Sequence, residues 1–203
     1  MEGAKMQGRE AAICRKTKET EIELTLSLDG SGKVDVQSTV GFFDHMLTAW
    51  ATHALFDLKL RAAGDVHIDH HHVVEDVGIC LGRALDEALG NKSGISRFGD
   101  AVVPLDEALI LCAVDLSGRG YLGFEMKLGR GKVGEFDVEL VEEFFRAMAI
   151  NGKINLHLHQ FSGRNKHHVI EAAFKSCAVA LSQAVTTHPQ RNTVPSTKGT
   201  LTE

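Results

Sequence analysis

Aromatic residues make up only 6% of the 203-residue chain, which argues against a stacking platform for single-stranded nucleic acid. Positive charge is not in excess either. The formal net charge of −5 argues against a polyanion as the main partner, while leaving room for a local basic pocket that takes a small anion. Cysteine is sparse: Cys14, Cys80, Cys112 and Cys177 form no CxxC pair and no tight spacing. Cys80 and Cys177 stand in apolar helical stretches and read as small buried hydrophobes. That usage fits a reducing compartment rather than a disulfide framework.

No apolar run approaches membrane-spanning length, and "MEGAKMQGREAAICRKTKET" has no apolar signal core. A cytoplasmic protein is the expectation. HEXXH, G-x-S-x-G and GxxxxGK[ST] are all absent, so protease, serine hydrolase and phosphate-loop readings lack their signatures. What remains is ordinary globular composition, 43% hydrophobic and 24% charged, in a chain long enough for one domain or two small ones.

Histidine is the exception. Ten of the eleven fall in two short regions, 45–72 and 157–168. Around them the chain says the same thing twice. "EIELTLSL" (21–28) alternates as a strand, "DGSG" reads as a hairpin turn and "KVDVQSTV" as the partner strand. "FFDHMLTAWATHA" (42–54) has helical spacing, with Phe42, Met46, Ala49 and Trp50 on one face. "LFDLKLRA" is a further strand. His71 to Leu89 is a long helix burying Val74, Ile79, Leu81, Leu85 and Leu89, stopped by Gly90-Asn91.

The second half repeats the order. "ALILCAVDL" and "YLGFEMKL" flank the turn "SGRG", "VELVEEFFRAMAI" (138–150) is an amphipathic helix, "KINLHLHQF" a strand, and His167 to Val185 a helix. The stretch 91–107 joins the halves. The expected organisation is a flexible 1–16, half-repeats at 17–97 and 98–187, and an irregular tail at 188–203.

The repeat carries the chemistry. In "DHHHVVED" and "KHHVIEA", residues four apart share a helix face, so His71 and Glu75 can grip one ion while His72, rotated by about 100°, addresses another. His167, Glu171 and His168 repeat the arrangement. His45 and Glu143 precede the two pairs by similar intervals and occupy equivalent slots. Around a pseudo-twofold the natural sets are His71, Glu75, His168 and Glu143, and His167, Glu171, His72 and His45, with subunit contacts able to supply any of them. Imidazoles and carboxylates without thiolate suit Mn, Fe(II), Co or Zn and leave coordination positions open for catalysis. Without the duplication, each group has a plainer reading. A histidine pair can cap a helix or face water, His45 can be a core histidine, and Glu143 a solvated helix residue. His67, His70, His157, His159 and His188 show no such pairing and read as strand-face, supporting or surface residues.

"GFFDHML", "DVHIDHHHVVEDVGICLG", "PLDEAL", "DLSGRGYL", "ELVEEFF", "GRNKHHVIEAAFKS" and "VPSTKG" together resemble the imidazoleglycerol-phosphate dehydratase family, from about Thr17 to Gly199. The resemblance implies a duplicated α+β fold, each half a four-stranded sheet backed by helices, in trimers that assemble to a 24-mer. It implies two Mn2+ ions per active site, held by His45, His71, His72, Glu75, His167, His168 and Glu171. The eighth ligand position, commonly histidine, is here Glu143, and His70 stands where the family usually has Asp. The implied reaction dehydrates imidazole glycerol phosphate to imidazole acetol phosphate through a metal-bound imidazolate and a diazafulvene. Glu19 relays protons beside the ligand carboxylates Glu75 and Glu171. Arg97, Arg119, Lys175, Thr197 and Lys198 then serve the phosphate-bearing substrate, and His53 is counted with them. Two other readings compete: a di-metal phosphoester-processing enzyme on the same scaffold, and an assembly in which ions only staple subunits.

Overall fold

The computed structural model describes residues 8–201. The first half runs β1 (Glu10–Lys16), β2 (Thr20–Ser27), β3 (Val34–Gln37), α1 (Gly41–Ala54), β4 (Asp57–Gly64) and α2 (His71–Leu89). The second runs β5 (Phe98–Leu105), β6 (Ala108–Asp115), β7 (Tyr121–Glu125), a small ribbon of β8 (Lys132–Val133) and β9 (Phe136–Asp137), α3 (Leu140–Asn151), β10 (Asn155–Ser162) and α4 (Lys166–Val185). The two four-stranded sheets have the orders β1-β2-β4-β3 and β5-β6-β10-β7, the same topology twice. The duplicated α+β architecture is as the sequence implied.

Several local expectations are overturned. "DGSG" is not a hairpin: β3 lies parallel to β4, and β2 pairs with β1 and β4 instead. Likewise β7 runs parallel to β10, which separates it from β6 across the sheet. In each half a helix carries the chain over before the later strand enters, the connection that parallel neighbours require. The segment expected to be flexible contains β1 over 10–16, and the joining stretch contains β5. Both have one inward-facing side made mostly of small residues, Ala11 and Ile13 in β1 and Gly99 and Ala101 in β5. Short apolar runs of that kind give a weak period-2 signal. Ile79 is half-buried rather than buried. Residues 1–7 lie outside the described residues.

The inward faces of β2 (Ile22, Leu24, Leu26) and β6 (Ala108, Ile110, Cys112, Val114) are covered by α2 and α4 respectively. All four cysteines are free, and Cys80, Cys112 and Cys177 are buried as packing groups. Between the sheets the helices pair across the halves: α1 packs on α4, and α2 on α3. The second contact depends on glycine. A Cβ at Gly78 would stand 2.7 Å from the Phe144 carbonyl oxygen, and one at Gly82 would stand 2.5 Å from that of Met148. Neither backbone atom can swing away.

Gly82→Ala therefore forces α2 off α3 and should cost about 1–3 kcal/mol, the usual range for overpacking. Gly41→Ala, where nothing lies within 4 Å, should be neutral or slightly stabilising. Urea unfolding of the two variants checks the contrast.

Candidate active site

Both histidine pairs open a helix. The Asp69 carboxylate accepts the backbone N–H of His71 (2.8 Å), and the Asn165 side chain accepts that of His167 (3.0 Å). Each satisfies one of the orphan N–H groups of a helix start. Each pair thus stands at a helix mouth with its backbone fixed.

From α1, His45 arrives beside α4. His45 Nε2 lies 3.3 Å and His167 Nε2 3.0 Å from the same Glu171 oxygen. One donor atom from each residue falls within 4.8 Å of the others. Adjacent ligands of an octahedral divalent ion with bonds of about 2.1 Å are separated by about 3 Å. The trio is thus spaced as ligands of one ion are. Phe42 meets the His167 ring edge-on, centroids 5.2 Å apart, so α1 supplies a ligand and steers its neighbour. Burial pushes the Glu171 carboxyl up, but the Lys175 ammonium 2.6 Å away and the His167 ring outweigh it and hold it below its ordinary value. It is therefore an anion ready to bind a cation.

The mirrored contact, α3 on α2, brings Glu143 and His71 to one cavity of about 230 Å³, lined also by Asp69, His70, Asp137 and Glu139. Four carboxylates and two imidazoles make it a second place of cation-binding chemistry. Glu75, half-buried on α2, has no hydrogen-bond or ion-pair partner among the described residues.

The four-member sets do not close within one chain. His72 turns away: its Nδ1 donates to Asp65 (3.0 Å), and its Nε2 lies 3.9 Å from Glu19. His168 Nδ1 donates to Glu107 (2.8 Å), and its Nε2 lies 3.7 Å from Asp106. In both, a carboxylate fixes the ring and leaves Nε2 as the outward nitrogen, as ligand histidines are commonly held. Asp65 raises the pKa of His72, and Glu107 that of His168. Periodicity could not reveal Asp65 or Glu107 as orienting groups. The only signal was that Glu107 stands in "PLDEAL".

A separate cavity of about 250 Å³ gathers Arg97, Arg119, Thr197 and Lys198 with Ser117 and Ser196. Arg97 has a left-handed backbone (φ 74°), with its guanidinium held by Asp115 (2.7 and 3.1 Å) and the Pro195 carbonyl (2.9 Å). A strained residue so tethered is pre-set to present its remaining N–H groups. Residues 188–201 of the tail form neither helix nor strand, and Ser196, Thr197, Lys198, Thr200 and Leu201 make one wall. Within one chain Lys175 is engaged with Glu171, and His53 is exposed in the last turn of α1; neither lines this cavity. On α4 the four-residue spacing from Glu171 decides the position of Lys175.

Residues 38–181 match the sequence model of a family described as imidazoleglycerol-phosphate dehydratase. An imidazoleglycerol-phosphate dehydratase of Desulforamulus reducens is 55% identical over 196 residues, 97% of this chain and all of the relative. The chain belongs to the imidazoleglycerol-phosphate dehydratase family. One from Acidiphilium cryptum is 56% identical over 95% of this chain and 99% of its own. Among solved structures, imidazoleglycerol-phosphate dehydratase from Staphylococcus aureus superposes with a TM-score of 0.80 at 40% identity, covering 88% of this chain and 99% of that one. The Pyrococcus furiosus enzyme in complex with (S)-C348 gives 0.81 at 37%, covering 93% and 99%. Dehydratases of this kind are hydro-lyases, which accounts for a site with no nucleophile motif.

His168 and Glu107 make a pH-sensitive pair in metal-free protein. The His168 hydrogen bond and the Asn165 and Arg164 N–H groups hold Glu107 at about 2, against an ordinary 4.5. Its contribution is complete above 4.5 and lost as pH falls toward 2. His168, raised from 6.5, contributes below that value and loses it as pH rises past its folded pKa. Glu107→Gln should therefore lower the urea midpoint most between 4.5 and 6.5, with the difference shrinking in acid. A pH series of unfolding curves reads it directly.

Proposed function

We propose that the chain dehydrates D-erythro-imidazole glycerol phosphate to imidazole acetol phosphate in L-histidine biosynthesis, with two manganese ions per active site. The supporting observation is the convergence of His45, His167 and Glu171 from opposite halves, spaced as ligands of one divalent ion. The donor chemistry, imidazole and carboxylate without thiolate, fits manganese. His71, Glu75 and Glu143 form the equivalent half-set on α2 and α3, and His72 and His168 supply the remaining nitrogens. When bound, the ions supply Lewis acidity to the substrate's imidazole ring. Arg97, Arg119 and Lys198 hold the phosphate with the Thr197 hydroxyl, and Glu19, exposed beside His72, accepts and returns the proton.

The spacing of these parts supports a site shared between chains. The backbone N–H of Arg97 bonds to Ala184, at the end of α4, whereas His167 is near its beginning. The intervening helix is about 25 Å long at 1.5 Å per residue, more than a three-carbon chain with its phosphate can span. That separation supports a site completed between protomers, which would account for the outward Nε2 atoms of His72 and His168. Trimers assembling to a 24-mer meet that need.

Manganese-loaded protein given imidazole glycerol phosphate should yield the enol/ketone absorbance with phosphate retained. Release of inorganic phosphate would favour the phosphoester-processing reading and overturn this one. His167→Ala and Arg119→Ala homomers should each be inactive, while the two co-expressed should recover activity in mixed particles. No recovery would place the whole site in one protomer. Removing residues 196–203 should raise KM at least about tenfold, the scale of one lost charged hydrogen bond, without weakening manganese binding. Isothermal titration with manganese checks the second half of that expectation.

A further inference from the structure

The first half holds a buried carboxylate that neither the metal sites nor the anion cavity uses. Asp76, one turn beyond His72 on α2, has a side chain only 8% exposed. One oxygen accepts from Arg15 Nε (2.8 Å) and the other from the Thr20 hydroxyl. Thr20 closes the turn between β1 and β2. There the Thr17 hydroxyl accepts the N–H groups of Glu19 (3.0 Å) and Thr20 (2.9 Å), and the Glu19 carbonyl accepts the N–H of Asp65 (3.1 Å). Gly64 makes the approach possible, since a Cβ there would stand 3.0 Å from the Glu19 oxygen and 2.6 Å from Val73 of α2.

We infer that Asp76 is a positioning residue: through Thr20 it locks the Glu19 turn to the helix that carries His72, and so fixes the Glu19 carboxylate against that imidazole. One buried group ties down both sides of the 3.9 Å gap between Glu19 Oε2 and His72 Nε2. The other half offers an internal control. The offset that carries His72 onto His168 carries Asp76 onto Ala172, which is fully buried and has no polar side chain. The turn between β5 and β6, with Asp106 and Glu107, is tied instead through Glu107 to Ser162, Arg164, Asn165 and His168, with no buried carboxylate on α4 behind it. Only the half that bears Glu19 uses a buried carboxylate on the helix for this purpose. A backbone turn held solely by its own hydrogen bonds opens more readily than one bonded into a core, and proton transfer requires the carboxylate within hydrogen-bond reach in the working complex.

The inference rests on the reading of Glu19 as the proton relay, and the test separates the two. Thr20→Val, Thr20→Ser, Glu19→Gln and the double variant Thr20→Val/Glu19→Gln are compared as assembled, manganese-loaded enzyme with imidazole glycerol phosphate. Thr20→Val should lower kcat about 100-fold, the scale of a displacement near 1 Å at a reacting group, with KM and manganese affinity within about twofold of the parent. Thr20→Ser should restore most of kcat, and Thr20→Val should cost nothing further on top of Glu19→Gln. If Glu19→Gln abolishes turnover but Thr20→Val does not, the positioning role is wrong and the relay stands. If Glu19→Gln leaves kcat unchanged, the relay itself fails. Parallel losses of kcat, KM and manganese binding that serine does not rescue would reduce Asp76 to a structural prop and overturn the inference. Should Thr20→Val not fold, Thr20→Ala is read in the same way.

Discussion

The cross-half pairing of helices, α1 on α4 and α2 on α3, is the constraint on which the rest depends. A helix can present a histidine and a glutamate four residues apart, but it cannot bring a third ligand to the same point from its own face. The third must come from a neighbour, and here the neighbour belongs to the other half of the duplication. His45 reaches His167 and Glu171 only because α1 lies on α4. Glu143 shares a cavity with His71 only because α3 lies on α2. A half-repeat alone would expose both its helix faces and hold no trio.

The two pairings are equivalent in topology but built from different side chains. The offset that matches His71 with His167 matches Gly78 with Phe174. On α2 the absent side chain lets the Phe144 backbone come close. On α4 the Phe174 ring stacks on Phe144, centroids 5.2 Å apart, and fills the centre of the helical layer. One half gives up volume that the other supplies, and close packing leaves little slack for either to change alone. Divergence has therefore been absorbed in the core, while Glu75 and Glu171 keep the same place behind their histidine pairs. The same is true at the rim. Glu19 and Asp106 stand at similar distances from the Nε2 atoms of His72 and His168, although the Glu19 turn is tied to buried Asp76 and the Asp106 turn to the loop before α4 through Glu107.

Much of this was legible in the sequence, for reasons that also explain what was not. The helices were readable because their apolar stripes recur over many turns, and His71–Leu89 is a case with a histidine start and a glycine stop. Strand partners were not. Alternation says which face of β3 is inward, but nothing in "KVDVQSTV" says that its partner arrives after a helix instead of before a turn. Ligand types followed from four-residue spacing, whereas the partners that orient them did not. Asp65 and Glu107 reach His72 and His168 through loops, and loop geometry leaves no periodic trace. Lys175, four residues from Glu171 on one helix, forms the ion pair that this spacing favours.

The separation of the two chemical regions follows from the same architecture. Ligand pairs open α2 and α4, whereas Arg97 is held at the closing end of α4 by the Ala184 carbonyl, and its guanidinium is fixed by Asp115 and the tail. A straight helix between them cannot shorten, so on the proposed reading a substrate small enough to touch both would find them on different copies. The outer histidines agree with this. Their Nδ1 atoms are already committed inside the chain, and Nε2 is the one ligand atom each has left. Nδ1 is held by a short carboxylate bond while Nε2 has only longer contacts, with Glu19 at 3.9 Å for His72 and Asn165 at 3.4 Å for His168, which would suit a group that completes a neighbour's site. In the proposed reading assembly and catalysis become a single requirement, since the surfaces that join protomers would be those that finish the ligand sets.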